Sequence, residues 1–390
     1  MLSRFVLAVA LTILMVTTGV ATYLSLGNHQ SSVALKPQKP TQPSPKPRSF
    51  VLPGTLYLAQ SGAIYSLSAG RFHQLTPEDG WTQPSLFPDG SNLLAVKSNG
   101  WYSDVYVMNR FGAVSRQLTN NSGPARNPDT GLKHWSFYPR LSLDQGTLWM
   151  AYDEPKGSYE TGFSIWAMPI NATMRNACGP PVCTLWSDSG YYTGGDVQPI
   201  PLPGGGVMFT SYEYVDTADG RKLSGRLWFL NRPYIYNRGK QLTDDQEDCR
   251  SPSLSPDGTQ VAMICTYTKQ VSYLTIASLS GSNLGARKNL ITNQMVAQPT
   301  WAPDGSGIAY LAPDPSSAAG HFQLWFLPKD AYNPPPPSPT PIPTPTPGGP
   351  HNGPLPTPTP IPLPTTASIK PIQLTTTQAF DATSPLAWSS

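Results

Sequence analysis

Residues equipped for chemistry are few and scattered in this chain. The five histidines, His29, His73, His134, His321 and His351, are dispersed, and no H-E-x-x-H, G-x-S-x-G or phosphate-cradling glycine loop occurs. The one acidic run, Asp244-Asp245-Gln246-Glu247-Asp248, offers oxygen ligands but lacks the spacing of a calcium loop, and it reads as a solvated connection. No catalytic residue, metal site or cofactor is therefore expected, and the chain is read as a non-enzyme. Two pairs of cysteines remain, Cys178 with Cys183 and Cys249 with Cys265, together with loop aromatics suited to protein or glycan contacts: Trp101, Tyr102, His134, Trp135, Tyr159, Tyr191, Tyr192, Tyr212 and Tyr214. Packing inside the fold is the alternative role for each of these aromatics.

The elements that must hold these residues announce themselves by repetition. Ser251-Pro252-Ser253-Leu254-Ser255-Pro256-Asp257-Gly258 reads as a short strand, a tight turn and then a second strand over Gln260 to Cys265. Gln83 to Gly90 and Gln298 to Gly305 repeat it. Weaker copies run from Tyr138-Pro139 to Gly146 and from Gln198-Pro199 to Gly205, and Ser384-Pro385 opens a sixth that stops before its turn. Proline suits a strand's first residue or a turn corner, because its φ is set and it has no N–H. Asp-Gly closes a hairpin, because Gly accepts φ > 0 and Asp bonds its own backbone. The first prolines lie 55, 60, 53, 47 and 86 residues apart, a period typical of propellers and arrays.

Each hairpin is followed by a third strand, such as residues 104–108, and by a fourth that usually ends in Leu-Thr, such as Leu118-Thr119. The sixth unit has only its first strand, at the C-terminus, and its other three stand at residues 56–59, 63–67 and 72–76. The expected fold is therefore all-β, a six-bladed β-propeller of four-stranded blades in which N- and C-terminal strands share one blade and close the ring. The propeller spans 54–390, with a Pro-rich loop insertion at 333–368 that accounts for the longest gap. In the hairpin about Asp257, pairing Ser255 with Thr259 places Cys249 opposite Cys265, close enough for a disulfide. The Cys178–Cys183 pair brackets a Gly-Pro-Pro loop as the second bridge. Buried or metal-binding thiols are the alternative, but C-x4-C has no matching second pair.

The repeated Ser-Pro-x-x-x-Pro-Asp-Gly followed by an apolar strand resembles the TolB-like (WD40-like) propeller repeat over residues 54 to 390. Three copies carry the full Pro-Asp-Gly, and the others depart from it. The resemblance implies the fold and names no ligand. Neither the hydrolase domain joined to the related propeller of prolyl oligopeptidases nor the N-terminal domain of TolB is expected here. In a propeller, connections between blades share one face with those joining second and third strands. The long aromatic loops fall there: 98–103, 120–137, 153–162, 187–197 and 211–225. That face is expected to bind an unknown protein or glycan ligand, with a propeller lyase or hydrolase as a third possibility.

Residues 1–26 contain an uncharged run, Phe5 to Leu26, long enough to cross a bilayer as a transmembrane helix, and 27–53 form a Pro- and Lys-rich tether. The reading is a signal anchor that holds the propeller outside a cell membrane. Cleavage near Gly19-Val20-Ala21 would instead release a secreted protein. Arg4, Lys36, Lys39, Lys46 and Arg48 contribute +5 of the net +3, so the remainder sums to 3 − 5 = −2. A near-neutral domain argues against nucleic acid as a partner. The even cysteine count suits an oxidising compartment.

Overall fold

A computed structural model describes residues 51–123, 133–153, 162–174, 178–188, 194–217, 220–233, 239–268, 271–315, 320–333 and 370–390. The expected membrane segment and tether, and most of the Pro-rich insertion, lie outside the described residues. Among those described, no helix is long and apolar enough to cross a membrane, and the helical content is one 3-10 turn, Lys329–Ala331.

The described strands form six antiparallel sheets. Blade 1 comprises β1 (Thr55–Gln60), β2 (Ala63–Ser68) and β3 (Arg71–Gln74). Blade 2 comprises β4 (Trp81–Leu86), β5 (Asn92–Ser98), β6 (Ser103–Asn109) and β7 (Val114–Gln117). Blade 3 comprises β8 (Ser136–Leu141), β9 (Thr147–Asp153), β10 (Phe163–Pro169) and β11 (Thr184–Leu185). Blade 4 comprises β12 (Gly195–Pro201), β13 (Val207–Thr217), β14 (Gly220–Leu230) and β15 (Lys240–Gln241). Blade 5 comprises β16 (Asp248–Leu254), β17 (Gln260–Thr268), β18 (Val271–Ser280), a small extension β19 (Asn283–Leu284) and β20 (Lys288–Ile291). Blade 6 comprises β21 (Ala297–Trp301), β22 (Gly307–Pro313), β23 (Phe322–Pro328) and β24 (Ile372–Gln373). The last strand, β25 (Ala387–Ser389), pairs with β1 and supplies the inner strand of blade 1. The fold is thus a six-bladed propeller closed by its two chain ends. Apolar clusters between neighbouring blades form its core, Tyr152 and Leu118 among them.

The prolines do not start the inner strands, as expected from sequence, but interrupt them. Gln83, Tyr138, Gln198, Ser251 and Gln298, each just before a repeat proline, adopt φ of 51°, 53°, 56°, 53° and 48°. At each point the pairing register slips by one residue, a β-bulge. Proline has no N–H to give the ladder, and the left-handed residue before it turns its own N–H out of the sheet. That N–H goes to the next blade. Gln83 donates to Ser384 Oγ at 2.8 Å, Tyr138 to Gln83 Oε1 at 2.6 Å, and Ser251 to Gln198 Oε1 at 3.0 Å.

The bulge also corrects the register at the disulfide. Ser255 faces Gln260 rather than Thr259, one residue off the expected pairing. The slip between Arg250 and Ser253 then restores Cys249 opposite Cys265, with Cα atoms 4.1 Å apart and the bridge formed. Cys178 and Cys183 are also joined.

The Leu-Thr endings act as a side-chain clasp. In blade 2, Leu118 N–H bonds Val105 O, the Thr119 hydroxyl accepts from Val105 N–H at 2.9 Å, and the Gln117 amide donates to Thr119 O at 2.7 Å. Gln74–Thr76, Gln241–Thr243 and Gln373–Thr375 repeat this set. Ser187 takes the hydroxyl role in blade 3.

Two expectations follow. Trp388 donates Nε1–H to Pro53 O at 2.7 Å and packs edge-on against Phe326, 6.1 Å between centroids. Trp388→Ala should therefore cost on the order of 3 kcal/mol in denaturant unfolding. The turn carboxylates sit below the usual carboxylate range. The backbone N–H and hydroxyl of Ser91 hold Asp89 down, and the Ser255 hydroxyl and Thr259 N–H do so for Asp257. Burial works against this at Asp304, but the Ser306 bonds outweigh it. Carboxylates lowered by folding add stability above their unfolded pKa and lose it as pH falls through the folded value, here from about pH 4 downward. Replacing all three by Asn, which keeps the turn bonds, should flatten the acid limb of the stability–pH curve.

Candidate binding face

The residues expected on the long-loop face divide into an exposed set and a packed set. Trp101 stands at the tip of the β5–β6 turn, where Asn99 Oδ1 accepts from the N–H groups of Trp101 and Tyr102 at 3.0 and 3.1 Å. Its side chain is 60% exposed. Tyr102 lies beneath the Lys133 ammonium, 5.2 Å from its ring centre. The His134 side chain, by contrast, is packed against the fold, and the Trp135 backbone is tied into it. His134 stacks on buried Tyr152 at 5.2 Å, with Nδ1 3.7 Å from Asp153 Oδ1. The Trp135 N–H donates to Asp153 Oδ1, and Trp135 bridges to Ser103. Tyr159, Tyr191 and Tyr192 lie outside the described residues.

The stretch 211–225, expected as a loop, is instead the distal half of a long β13–β14 hairpin. Its alternation of Tyr, Glu and Val continues the period-2 pattern of the strand before it, which an aromatic count overlooks. Tyr214 and Leu223 are paired across it and exposed, with the Arg221 guanidinium 4.7 Å over the Tyr214 ring.

Tyr212, two residues earlier on the same strand and nearer the centre of the ring, lines a chamber of about 390 Å³ at the channel mouth. Tyr138, Arg250, Met295 and Phe322 line it too, and sequence reasoning found none of them as site residues. Tyr138 carried a usable signal, its place before a repeat proline. The others come together only in the closed ring. Burial pushes the Tyr138 hydroxyl pKa up, with smaller contributions from Tyr212 and Asp381. Burial also raises Tyr212, Arg250 opposing and Asp248 adding to it. Both phenols stay protonated donors across physiological pH. Trp101, Tyr102, His134 and Trp135 are not part of this lining.

The acidic run is engaged within the fold. Asp245 and Glu213 pair with Arg226 Nη1 at 3.2 and 3.1 Å, Glu247 with Arg287 at 2.9 Å, and buried Asp248 with Lys222 at 3.1 Å. Among the described residues no group of His, Cys, Asp or Glu is placed to hold a metal ion.

Against solved structures, the chain is similar to TolB from Acinetobacter baumannii, with a TM-score of 0.50 and 15% identity, covering 71% of this chain and 61% of that one. The fold is that of a TolB-like propeller. TolB from Agrobacterium tumefaciens matches at TM-score 0.45 and 14% identity, over 71% of this chain and 85% of that one. A puromycin-hydrolysing peptidase from Mycobacterium tuberculosis matches at 0.43 and 13%, over 72% and 46%. No family model and no curated protein matches the sequence.

The division between exposed and packed aromatics is checked by two variants. Trp101→Ala should leave unfolding free energy within about 0.5 kcal/mol of the parent. His134→Ala, which removes a stacked ring and its neighbour's partner, should cost about 1–2 kcal/mol.

Proposed function

We propose that this propeller is a non-catalytic module that binds a partner protein through its long-loop face, held outside the cell by the apolar N-terminal segment. One observation carries the reading. Of the exposed large apolar side chains among the described residues, Trp101, Met295, Tyr214 and Leu223 stand on hairpin ends and connections of that face, and Met295 also lines the Tyr138–Tyr212 chamber, whereas Val51, Phe111, Val114 and Leu143 are exposed elsewhere. What distinguishes this face is residue type: Trp, Tyr and Met are enriched at interface cores, and here they stand exposed on the ends of a rigid scaffold. Among the described residues the chamber lining contains no His, Asp or Glu, and the nearby Asp248 is engaged by Lys222. Both facts support binding over catalysis. The two disulfides support an oxidising compartment.

The test is cross-linking of the full chain in intact cells, followed by mass spectrometry. A parent protein should capture a specific partner protein, and Trp101→Ala/Tyr214→Ala/Met295→Ala should reduce capture at least tenfold while melting normally. Equal capture by the variant, or a glycan array that retains the parent instead, would reject the proposal. Fractionation should leave the chain in carbonate-washed membranes with its propeller open to external protease.

A further inference from the structure

The other end of the channel holds a guanidinium that, among the described residues, no carboxylate pairs with; the carboxylate lining the same chamber, Asp257, is engaged by the Ser255 hydroxyl and Thr259 N–H of its own turn. Arg140 follows the bulge of β8 by two residues and faces the channel waist beside Ile200, Pro252 and Leu386. It also lines the chamber of about 590 Å³ that opens between the Pro-Asp-Gly turns. Several partly or fully buried arginines at the ring's blade junctions are engaged: Arg226 and Arg287 with carboxylates, Arg250 with Asp248 at 3.7 Å, and Arg110 with Tyr57 and Ser389 hydroxyls. Among the described residues Arg140 makes one hydrogen bond, from Nη1 to Ser85 Oγ at 3.2 Å, and no carboxylate pairs with it. The guanidinium keeps a strip of surface toward the channel but is ringed by protein, and burial lowers its pKa to about 10.

A guanidinium has five donors in a planar fork, and burying it among neutral side chains with one hydrogen bond and no paired anion is costly. The channel has room for one at this point. We propose that the turn-face chamber is a binding site for a carboxylate with an apolar body. The Arg140 fork takes the carboxylate at the waist, and Ser85, whose hydroxyl proton is uncommitted among the described residues, donates to it. Leu141, Pro203, Leu254 and Trp301 surround the rest of the ligand. One fixed positive charge matches one carboxylate, whereas a phosphate dianion would be left half neutralised. The site opens on the side opposite Trp101 and Tyr214 and is independent of the partner-binding reading.

Calorimetric titration of the full chain tests the site. Hexanoate should bind with one-site stoichiometry and raise the melting temperature, while hexanamide and inorganic phosphate should do neither. Arg140→Gln should weaken hexanoate at least tenfold, and Arg140→Lys, which keeps the charge but not the fork, should weaken it as well. Arg250→Gln, in the opposite chamber, should leave hexanoate binding intact. Because Arg140→Gln removes an unpaired charge, the variant should melt no lower than the parent, so loss of binding cannot be put down to misfolding. Ala-Ala-Leu with a free or an amidated C-terminus separates the sources. Binding of the free peptide alone assigns a chain terminus as a ligand, and binding of hexanoate alone assigns a small acid. Hexanamide binding as well as hexanoate, undiminished binding by Arg140→Gln, or binding of neither hexanoate nor the free peptide would overturn the proposal.

Discussion

The hub of this molecule depends on one missing hydrogen. A proline in the inner strand of blades 2 to 6 has no N–H for its sheet, and the residue before it turns left-handed at a cost of roughly 1–3 kcal/mol. Five such residues stand round the ring. The strain persists because each turned N–H is offered outward, and at Gln83, Tyr138 and Ser251 the neighbouring blade's Ser384, Gln83 and Gln198 accept it. Blades are thereby joined by directional bonds as well as by apolar packing. Ser384, at the very end of the chain, accepts one of them, so closure and hub geometry are a single event.

The outer part of each blade uses a different device. The Gln-Leu-Thr clasp places a hydroxyl where the third strand's N–H would otherwise lack a partner, and the glutamine amide covers the next carbonyl. A short fourth strand can therefore end without orphaned backbone groups. This leaves the connections on the long-loop face free to carry side chains that the fold does not use. Trp101 and Tyr214 are in that position, while the His134 ring is stacked on Tyr152 and the Trp135 backbone bridges blades 2 and 3.

Charge follows the same logic. Asp245, Glu247 and Asp248 of the acidic run pair with Arg226, Arg287 and Lys222, which ties blades 4 and 5 together. Arg140 departs from this rule, and it does so at the waist of the channel, where all blades converge.

Much of this was legible in the chain. The blade count, the split blade and both disulfides follow from local chemistry: proline's lost donor, the Asp-Gly turn, and alternation along a strand. These signals are short-range and survive without neighbours. Simple alternation about Asp257 is one residue off at the turn, yet it pairs Cys249 with Cys265 because the bulge at Ser251 cancels the slip. Which face of Tyr212 meets the channel, which aromatics stay exposed, and that Arg140 stands without a carboxylate were decided only by the closed ring. These properties belong to pairs of residues from different blades, and no local pattern encodes what lies across a channel.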